Sequence, residues 1–162
     1  MTDILKLSDE QVLEEAKRLR YAYNLKRTMR YDTKRDFGVH NESVAEHVFG
    51  LIFLAHYFLH VEPSATSLNA EKVYTILLFH DFPEIKHGDV PTYYKTKEHE
   101  TREKNAAKEV FGGLPEHLSI LGYDHWREYE EHTSPEALFA YALDKIEPLF
   151  ELLDIVNERS VR

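Results

Sequence analysis

Two adjacent polar residues, His80 and Asp81, directly follow an apolar run that is typical of a buried helix. The run covers residues 73–79 and reads Val-Tyr-Thr-Ile-Leu-Leu-Phe. A buried carboxylate without a partner is strongly destabilising, so this pair needs a compensating group. Imidazole nitrogen and carboxylate oxygen together suit a divalent first-row metal ion. We therefore expect His80 and Asp81 to bind such an ion.

A second candidate ligand, His47, lies on the apolar stripe of another predicted helix. Ser43 and Glu46 have the spacing of a capping box, which predicts a helix start at this point. His47 comes three residues after Val44 and four residues before Leu51, so it should face the core with them. The alternative role for His47 is that of a hydrogen-bonded core histidine.

A third helix is predicted from residue 135 and carries Asp144. The sequence at residues 134–136, Ser-Pro-Glu, offers a capping residue, a proline at the first helical position and an acid in the first turn. Ala137 and Tyr141 precede Asp144 by seven and three residues, which places this carboxylate on the inward stripe. An ion pair with Lys145 or a distant arginine is the alternative for Asp144. Three helices that each offer a ligand favour a shared metal site.

The order of these residues resembles that of the HD-domain phosphohydrolase superfamily, which comprises all-helical metal enzymes that hydrolyse phosphate esters. Residues 80–92, HDFPEIKHGDVPT, are similar to the HD-x-x-E-x-x-x-GD-[LIV]-x-[TP] signature of its 5′-deoxynucleotidase branch. Residues 42–47, ESVAEH, resemble the E-[SN]-V-[SA]-[ED]-H motif of that branch. Its C-terminal half is resembled by residues 126–130, 134–137 and 142–147. The segment 31–46 is a few residues longer than is usual in the bacterial enzymes.

The resemblance implies an all-α HD-domain bundle of six to seven helices, with residues 1–162 forming one domain. It also implies one divalent metal ion, Mn²⁺, Co²⁺ or another first-row transition metal, with these ligands: His47, His80, Asp81 and Asp144. Such a centre leaves positions open for water and for a phosphate oxygen. The implied product is a deoxynucleoside with free phosphate, and the implied assembly is a homodimer.

Further site residues follow from the motif and its surroundings. Glu84, four residues after His80, is expected to handle a proton, with a surface ion pair to Lys86 as its alternative. Arg30 is expected to hold the phosphate through its bidentate guanidinium. The remaining substrate contacts are predicted at Tyr31, Asp89 and Thr92. Asp81 and Arg30 are therefore counted with Glu84 as catalytic residues.

The hydrophobic pattern predicts helices and almost no strands. The expected helices are residues 9–24, 43–60, 69–82, 98–111, a short pair within 115–131, and 135–157. Proline removes a backbone donor and clashes with the preceding turn, so Pro83 should kink or end the third helix near Phe82. That break would place the His-Asp pair beside an irregular loop.

Composition argues against several classes of protein. The chain has 162 residues, 43% of them hydrophobic, which is enough for one domain with a core. We expect no run that approaches the ~18 apolar residues of a membrane helix. The protein is therefore predicted to be cytoplasmic and not to bind membranes. The net charge of −9 argues against a nucleic-acid partner. With no cysteine, thiolate nucleophiles and disulfides are excluded.

Two other functions remain open at this point. A relative that hydrolyses nucleoside triphosphates, or only one nucleotide, would carry the same metal ligands. A helical scaffold that binds a nucleotide without turnover is the alternative outside enzymes. Its weakness is that all four predicted ligands and Glu84 are present.

Overall fold

The computed structural model describes residues 7–30, 42–90 and 95–152. Seven α-helices lie in these ranges: α1 Asp9–Tyr21, α2 Val44–Val61, α3 Ala70–Phe79, α4 Glu84–His87, α5 Lys97–Gly112, α6 Glu116–Glu131 and α7 Pro135–Leu152. Two short 3₁₀ helices, Ala22–Arg27 and Pro63–Ala65, complete the elements. The described residues contain no β-strand, only an isolated bridge between Met29 and Ser43. The predicted all-α class is confirmed.

The predicted helix starts form as expected. Both side chains of the Ser43 and Glu46 capping box bond to the opposite backbone amide at the start of α2. In α7, the Ser134 hydroxyl accepts a hydrogen bond from the Ala137 amide at 3.1 Å. These caps fix the first turns of the two helices that carry His47 and Asp144.

The α6 segment differs from the prediction, because residues 116–131 form one helix and not a short pair. Gly122 lies in the middle of this helix and is buried. A Cβ at Gly122 would lie 2.7 Å from Phe111 Cε1, so the missing side chain is what allows α6 to approach α5. The packing gained there compensates for the low helix propensity of glycine.

Helix α3 ends earlier than predicted, at Phe79 and not near Phe82. The chain then passes through His80 and Asp81 in a turn before α4 begins at Glu84. Hydrogen bonds from Phe82 N to Phe79 O (3.2 Å) and from Glu84 N to Asp81 O (3.0 Å) keep this turn helical. The break before Pro83 is thus confirmed, and it leaves Glu84 on the same side of the chain as Asp81.

Helix α3 lies at the centre of the bundle and packs against α2, α6 and α7. One core cluster lies around Phe79, Phe111 and Trp126. The other contains Leu51 of α2, Ile76 of α3 and further apolar residues of α6 and α7. The carboxyl end of α3 therefore lies among α2, α6 and α7, where polar side chains from several helices can meet.

Helix α2 is long and apolar enough, by length and composition, to cross a membrane, although the sequence analysis expected no such run. The core helix of a globular bundle passes the same test, so this is weak evidence. Val44, Leu51 and Ala55 are fully buried on one face of α2. Phe49 and Phe53 lie exposed on another face.

Candidate metal centre

Four side chains from three parts of the fold converge at the end of α3. The Nε2 atom of His47 lies 3.7 Å from Asp81 Oδ2 and 3.1 Å from Asp144 Oδ1. The Nε2 atom of His80 lies 3.1 Å from Asp81 Oδ2 and 3.9 Å from Asp144 Oδ1. The structure thus brings together all four predicted ligands, with two imidazole nitrogens facing two carboxylates.

His80 is oriented by the backbone of its own helix. Its Nδ1 donates to the carbonyl of Leu77 at 2.8 Å, since a carbonyl can only accept. In a neutral ring, Nε2 is then the nitrogen that carries the lone pair, and this buried atom lies 3.1 Å from Asp81 Oδ2. A lone pair that faces a carboxylate at this distance needs a cation, either a metal ion or a proton, between the two atoms.

His47, which is fully buried, is held on both sides of its ring. Its Nδ1 lies 2.7 Å from Glu147 Oε2, and its Nε2 faces Asp144. Burial lowers the pKa of His47, but the hydrogen bonds to Asp144 and Glu147 raise it further, to about 9. In the absence of a metal ion, a proton on this ring supplies the positive charge that the carboxylates require.

Asp144 is fixed by two further donors. Tyr129 donates its hydroxyl to Asp144 Oδ2 at 2.9 Å, and Lys145 donates to the same oxygen at 2.7 Å. The Asp144–Lys145 ion pair and the predicted ligand role thus use different oxygens of one carboxylate. The ring of Tyr129 also meets the His80 ring edge-on, with centroids 5.1 Å apart. Sequence reasoning missed this role of Tyr129.

The donor set fits a divalent metal ion. Ligands bonded at about 2.1 Å to a four- to six-coordinate ion lie roughly 3–3.5 Å apart, close to the 3.1–3.9 Å spacings here. The donor atoms of His47, His80 and Asp81 all lie within 4.8 Å of one another. Nitrogen and oxygen donors of this kind suit first-row transition metals. The spacing of the donor atoms is therefore compatible with such an ion.

The electrostatics favour charged carboxylates at the centre. Burial raises the pKa of Asp81, but the charge of His80 and its hydrogen bond lower it more, to about 2. For Asp144, burial is outweighed by the hydrogen bond from His47 and by the charges of His80 and Lys145, so its pKa is lowered. Two ionised carboxylates are what a cation site requires.

Glu84 lies beside the centre and is not one of the four convergent donors. Its side chain is buried, and Oε2 has no hydrogen-bond partner among the described residues. Burial and the nearby charges of Asp81 and Asp89 raise its pKa well above that of an ordinary glutamate. Glu84 therefore keeps a proton more easily than a surface carboxylate does. The alternative ion pair with Lys86 is not made, since Lys86 pairs with Glu109.

Arg30 is placed behind His47 by a short backbone clamp. The amide of Arg30 donates to Glu42 O at 2.9 Å, and the amide of Val44 donates to Thr28 O at 2.8 Å. The Arg30 guanidinium is largely buried, with Nη1 2.9 Å from Glu42 Oε2 and 3.1 Å from Glu147 Oε2. Arg30 thus lies next to His47, and its role in holding phosphate stays a prediction.

The other predicted substrate contacts are less defined. Tyr31 and Thr92 lie outside the described residues. Asp89 is partly buried and follows Gly88, whose φ of 75° is in the region that favours glycine. Its charge acts on Glu84.

Two carboxylates, Glu42 and Glu147, are part of the surroundings of His47, although the sequence analysis gave them no role. Both are buried and both contact Arg30. The spacing carried a signal for one of them, because Glu147 lies one helical turn after Asp144 and should share its face. Nothing in the sequence paired Glu42 with Arg30.

Known proteins are similar to this chain in sequence. The chain is 31% identical over 115 residues to the 5′-deoxynucleotidase HDDC2 of Xenopus laevis. This alignment covers 70% of this chain and 55% of the relative. It is 32% identical over 112 residues to HDDC2 of Homo sapiens, covering 68% of this chain and 52% of the relative. The chain thus spans about half the length of these relatives.

A solved structure and a family model agree with the fold. The crystal structure of a predicted metal-dependent phosphohydrolase from Magnetospirillum magnetotacticum MS-1 superimposes with a TM-score of 0.71 and 27% identity. The alignment covers 88% of this chain and 72% of that one. The family model of the HD domain matches residues 22–160. With that match and with the predicted His and Asp residues gathered at one place, the chain belongs to the HD-domain family.

Proposed function

We propose that this protein is a divalent-metal-dependent phosphohydrolase that converts deoxynucleoside 5′-monophosphates into deoxynucleoside and phosphate. The observation that carries the proposal is the buried cluster of two imidazole nitrogens and two carboxylates beside Glu84, whose Oε2 has no hydrogen-bond partner among the described residues. The names of the relatives, which are 5′-deoxynucleotidases, support the substrate class.

The four residues proposed as metal ligands are His47, His80, Asp81 and Asp144. The proposed ion is a single first-row transition metal such as Mn²⁺ or Co²⁺. When bound, such an ion lowers the pKa of water towards neutrality and neutralises charge on a phosphoryl group. Hydrogen bonds from neighbouring residues hold two of these ligands in place. Leu77 orients His80, while Tyr129 and Lys145 orient Asp144.

Glu84 is proposed as the general acid. Its raised pKa keeps a proton on the carboxyl group, which can be given to the 5′ oxygen of the leaving deoxynucleoside. Its burial next to Asp81 keeps bulk water from competing for that proton.

The substrate contacts are proposed for Arg30, Tyr31, Asp89 and Thr92. Arg30 lies next to His47 with its Nη1 engaged by Glu42 and Glu147, so a phosphate would be held through the rest of its guanidinium. Asp89 lies in the loop after α4, close enough to Glu84 for its charge to raise the pKa of Glu84. Tyr31 directly follows Arg30 in the chain and would contact the base. Thr92 would contact the sugar with Asp89.

We also propose that the protein is a homodimer, that it is cytoplasmic and that it forms a single domain. Large apolar side chains are exposed on α2, with Phe49 73% and Phe53 68% exposed, and they offer a surface for a second copy. The net charge of −9 is compatible with a nucleotide substrate only if positive charge is local, as Arg30 and the ion would provide.

The test is phosphate release by metal-stripped protein that is resupplied with Mn²⁺, Co²⁺, Zn²⁺ or Mg²⁺. The substrates are deoxy- and ribonucleoside monophosphates and triphosphates, with triphosphate release followed in parallel. We expect metal-dependent release from the deoxynucleoside monophosphates. Activity only on triphosphates would favour a triphosphate hydrolase, and nucleotide binding without turnover would favour the scaffold.

Asp81→Ala is the matched site variant for this assay. It should lose metal binding and activity together, because Asp81 Oδ2 lies between the two histidine nitrogens. Asp124→Ala, an exposed carboxylate of α6, serves as the control and should leave both unchanged. Full activity of Asp81→Ala would contradict the site assignment.

A further inference from the structure

A second group of charged side chains lies on the other side of His47. This group, called here the Arg30 network, consists of Arg30, Glu42 and Glu147. The Nη1 atom of Arg30 donates to Glu42 Oε2 at 2.9 Å and to Glu147 Oε2 at 3.1 Å. All three side chains are buried, so their mutual contacts are not fortuitous surface pairs.

The Arg30 network is not a second metal site, although its carboxylates and His47 could in principle hold an ion. The Nη1 atom of Arg30 donates to Glu42 and Glu147 and also lies against Nδ1 of His47. Because a guanidinium only donates and Nδ1 gives its proton to Glu147, the contact between Arg30 and His47 is not a hydrogen bond. The cation at this place is therefore the guanidinium itself. Glu147 is thus a carboxylate that contacts Nδ1 of His47, one of the proposed metal ligands.

We propose that Glu147 is a positioning residue for the metal centre. Its Oε2 lies 2.7 Å from Nδ1 of His47 and accepts the proton on that nitrogen. This contact keeps Nε2, the nitrogen that faces Asp81 and Asp144, available as the donor atom. Arg30 holds the Glu147 carboxylate in place, and Glu42 in turn holds Arg30. The inference rests on the proposed metal centre.

The backbone of α2 provides independent support for this role. Gly50 lies one turn after His47, and Glu147 fills the space that a side chain at Gly50 would occupy. A Cβ at this position would lie 2.9 Å from Glu147 Oε1 and 3.4 Å from Glu147 Cγ. Glycine is unfavourable inside a helix, so its presence here fits a need for the carboxylate to approach α2 closely.

The expected effect is a loss of metal affinity. Removing the partner of a histidine ligand typically weakens metal binding by about 10- to 100-fold. Glu147→Gln keeps the shape of the side chain but removes the negative charge that favours a proton on Nδ1. Gly50→Ala keeps every charged group and only displaces the carboxylate.

The experiment measures the dissociation constant for Co²⁺ of metal-stripped protein by competition with a chelating indicator. The visible spectrum of the Co²⁺ protein is recorded with it, because this spectrum reports ligand geometry. We expect about tenfold weaker binding or more for Glu147→Gln, a smaller loss for Gly50→Ala, and a changed spectrum for both.

Two variants serve as matched controls. Glu136→Gln alters a mostly buried, ion-paired glutamate at the other end of α7. Gly112→Ala adds a Cβ that meets no atom within 4 Å. Both should keep the affinity and spectrum of the wild-type protein.

Wild-type affinity and spectrum in both Glu147→Gln and Gly50→Ala would overturn the proposal, even if their melting temperatures fell, because the role of Glu147 would then be structural only. Failure of the wild-type protein itself to bind Co²⁺ would refute the metal centre, and the variants would not be needed to detect it. The two failures are thus distinguishable.

Discussion

Replacing Tyr129 with phenylalanine removes one oxygen atom from the surroundings of the candidate metal centre. The Tyr129 hydroxyl donates to Asp144 Oδ2 at 2.9 Å, while its ring meets the ring of His80. Phenylalanine keeps the ring contact and loses only the hydrogen bond. The variant therefore isolates the effect of the second donor on a proposed ligand.

The magnitude follows from the type of bond that is lost. A hydrogen bond to a charged group contributes about 1.5–3 kcal/mol. Lys145 still donates to the same oxygen at 2.7 Å, so the lower end of that range applies. About 1.4 kcal/mol corresponds to a factor of ten in an equilibrium constant. We expect Tyr129→Phe to bind Mn²⁺ or Co²⁺ about tenfold more weakly than the wild-type protein.

The assay is the competition of metal-stripped protein with a chelating indicator, together with thermal unfolding of the metal-free protein. The control is Tyr74→Phe, which removes a hydroxyl that contacts the exposed His56 at 3.1 Å and lies outside the centre. Equal metal affinity of Tyr129→Phe and wild type would refute the reasoning. A lower melting temperature with unchanged affinity would show that the hydroxyl supports the fold alone.

Three other predictions concern the proton, pH and packing. Glu84→Gln should bind metal normally but lower kcat by about 10²- to 10⁴-fold, because it cannot supply a proton; an unchanged kcat would contradict this. The pKa of His47 is raised to about 9 by Asp144 and Glu147 against the effect of burial, and an ion must displace that proton. Metal affinity should thus rise with pH and level off near pH 9, so a flat profile in metal titrations would argue against it. Gly122→Ala should lower stability by about 1–3 kcal/mol in denaturant unfolding, because its Cβ would lie 2.7 Å from Phe111 Cε1. A stabilised variant would contradict this packing.

The four proposed ligands could be chosen from the sequence because their types conflict with their surroundings. His47 and Asp144 lie on apolar stripes, and His80 with Asp81 follows an apolar run. A polar residue at a position where the helical period demands an apolar one is visible without a structure. The helix starts were predictable for another reason, because the capping residues lie within the first turn of the helix.

The surroundings of the ligands could not be predicted in this way. The contact from Arg30 to Glu147 joins residues 117 positions apart, and that from Tyr129 to Asp144 depends on how α6 lies beside α7. Neither geometry follows from helical periodicity. The continuity of α6 through Gly122 was not predicted, because it depends on the packing of Gly122 against Phe111 of α5.

The backbone clamp that joins Thr28 to Val44 and Arg30 to Glu42 has a consequence for engineering. The residues on either side of the segment 31–41 belong to this clamp, so the number of residues between them can change at little cost in closure entropy. The segment is therefore a natural place for exchange with the corresponding segment of a relative. Chimeras built there would alter the sequence that follows Arg30, while the proposed ligands on α2, directly after α3 and on α7 keep their own scaffold.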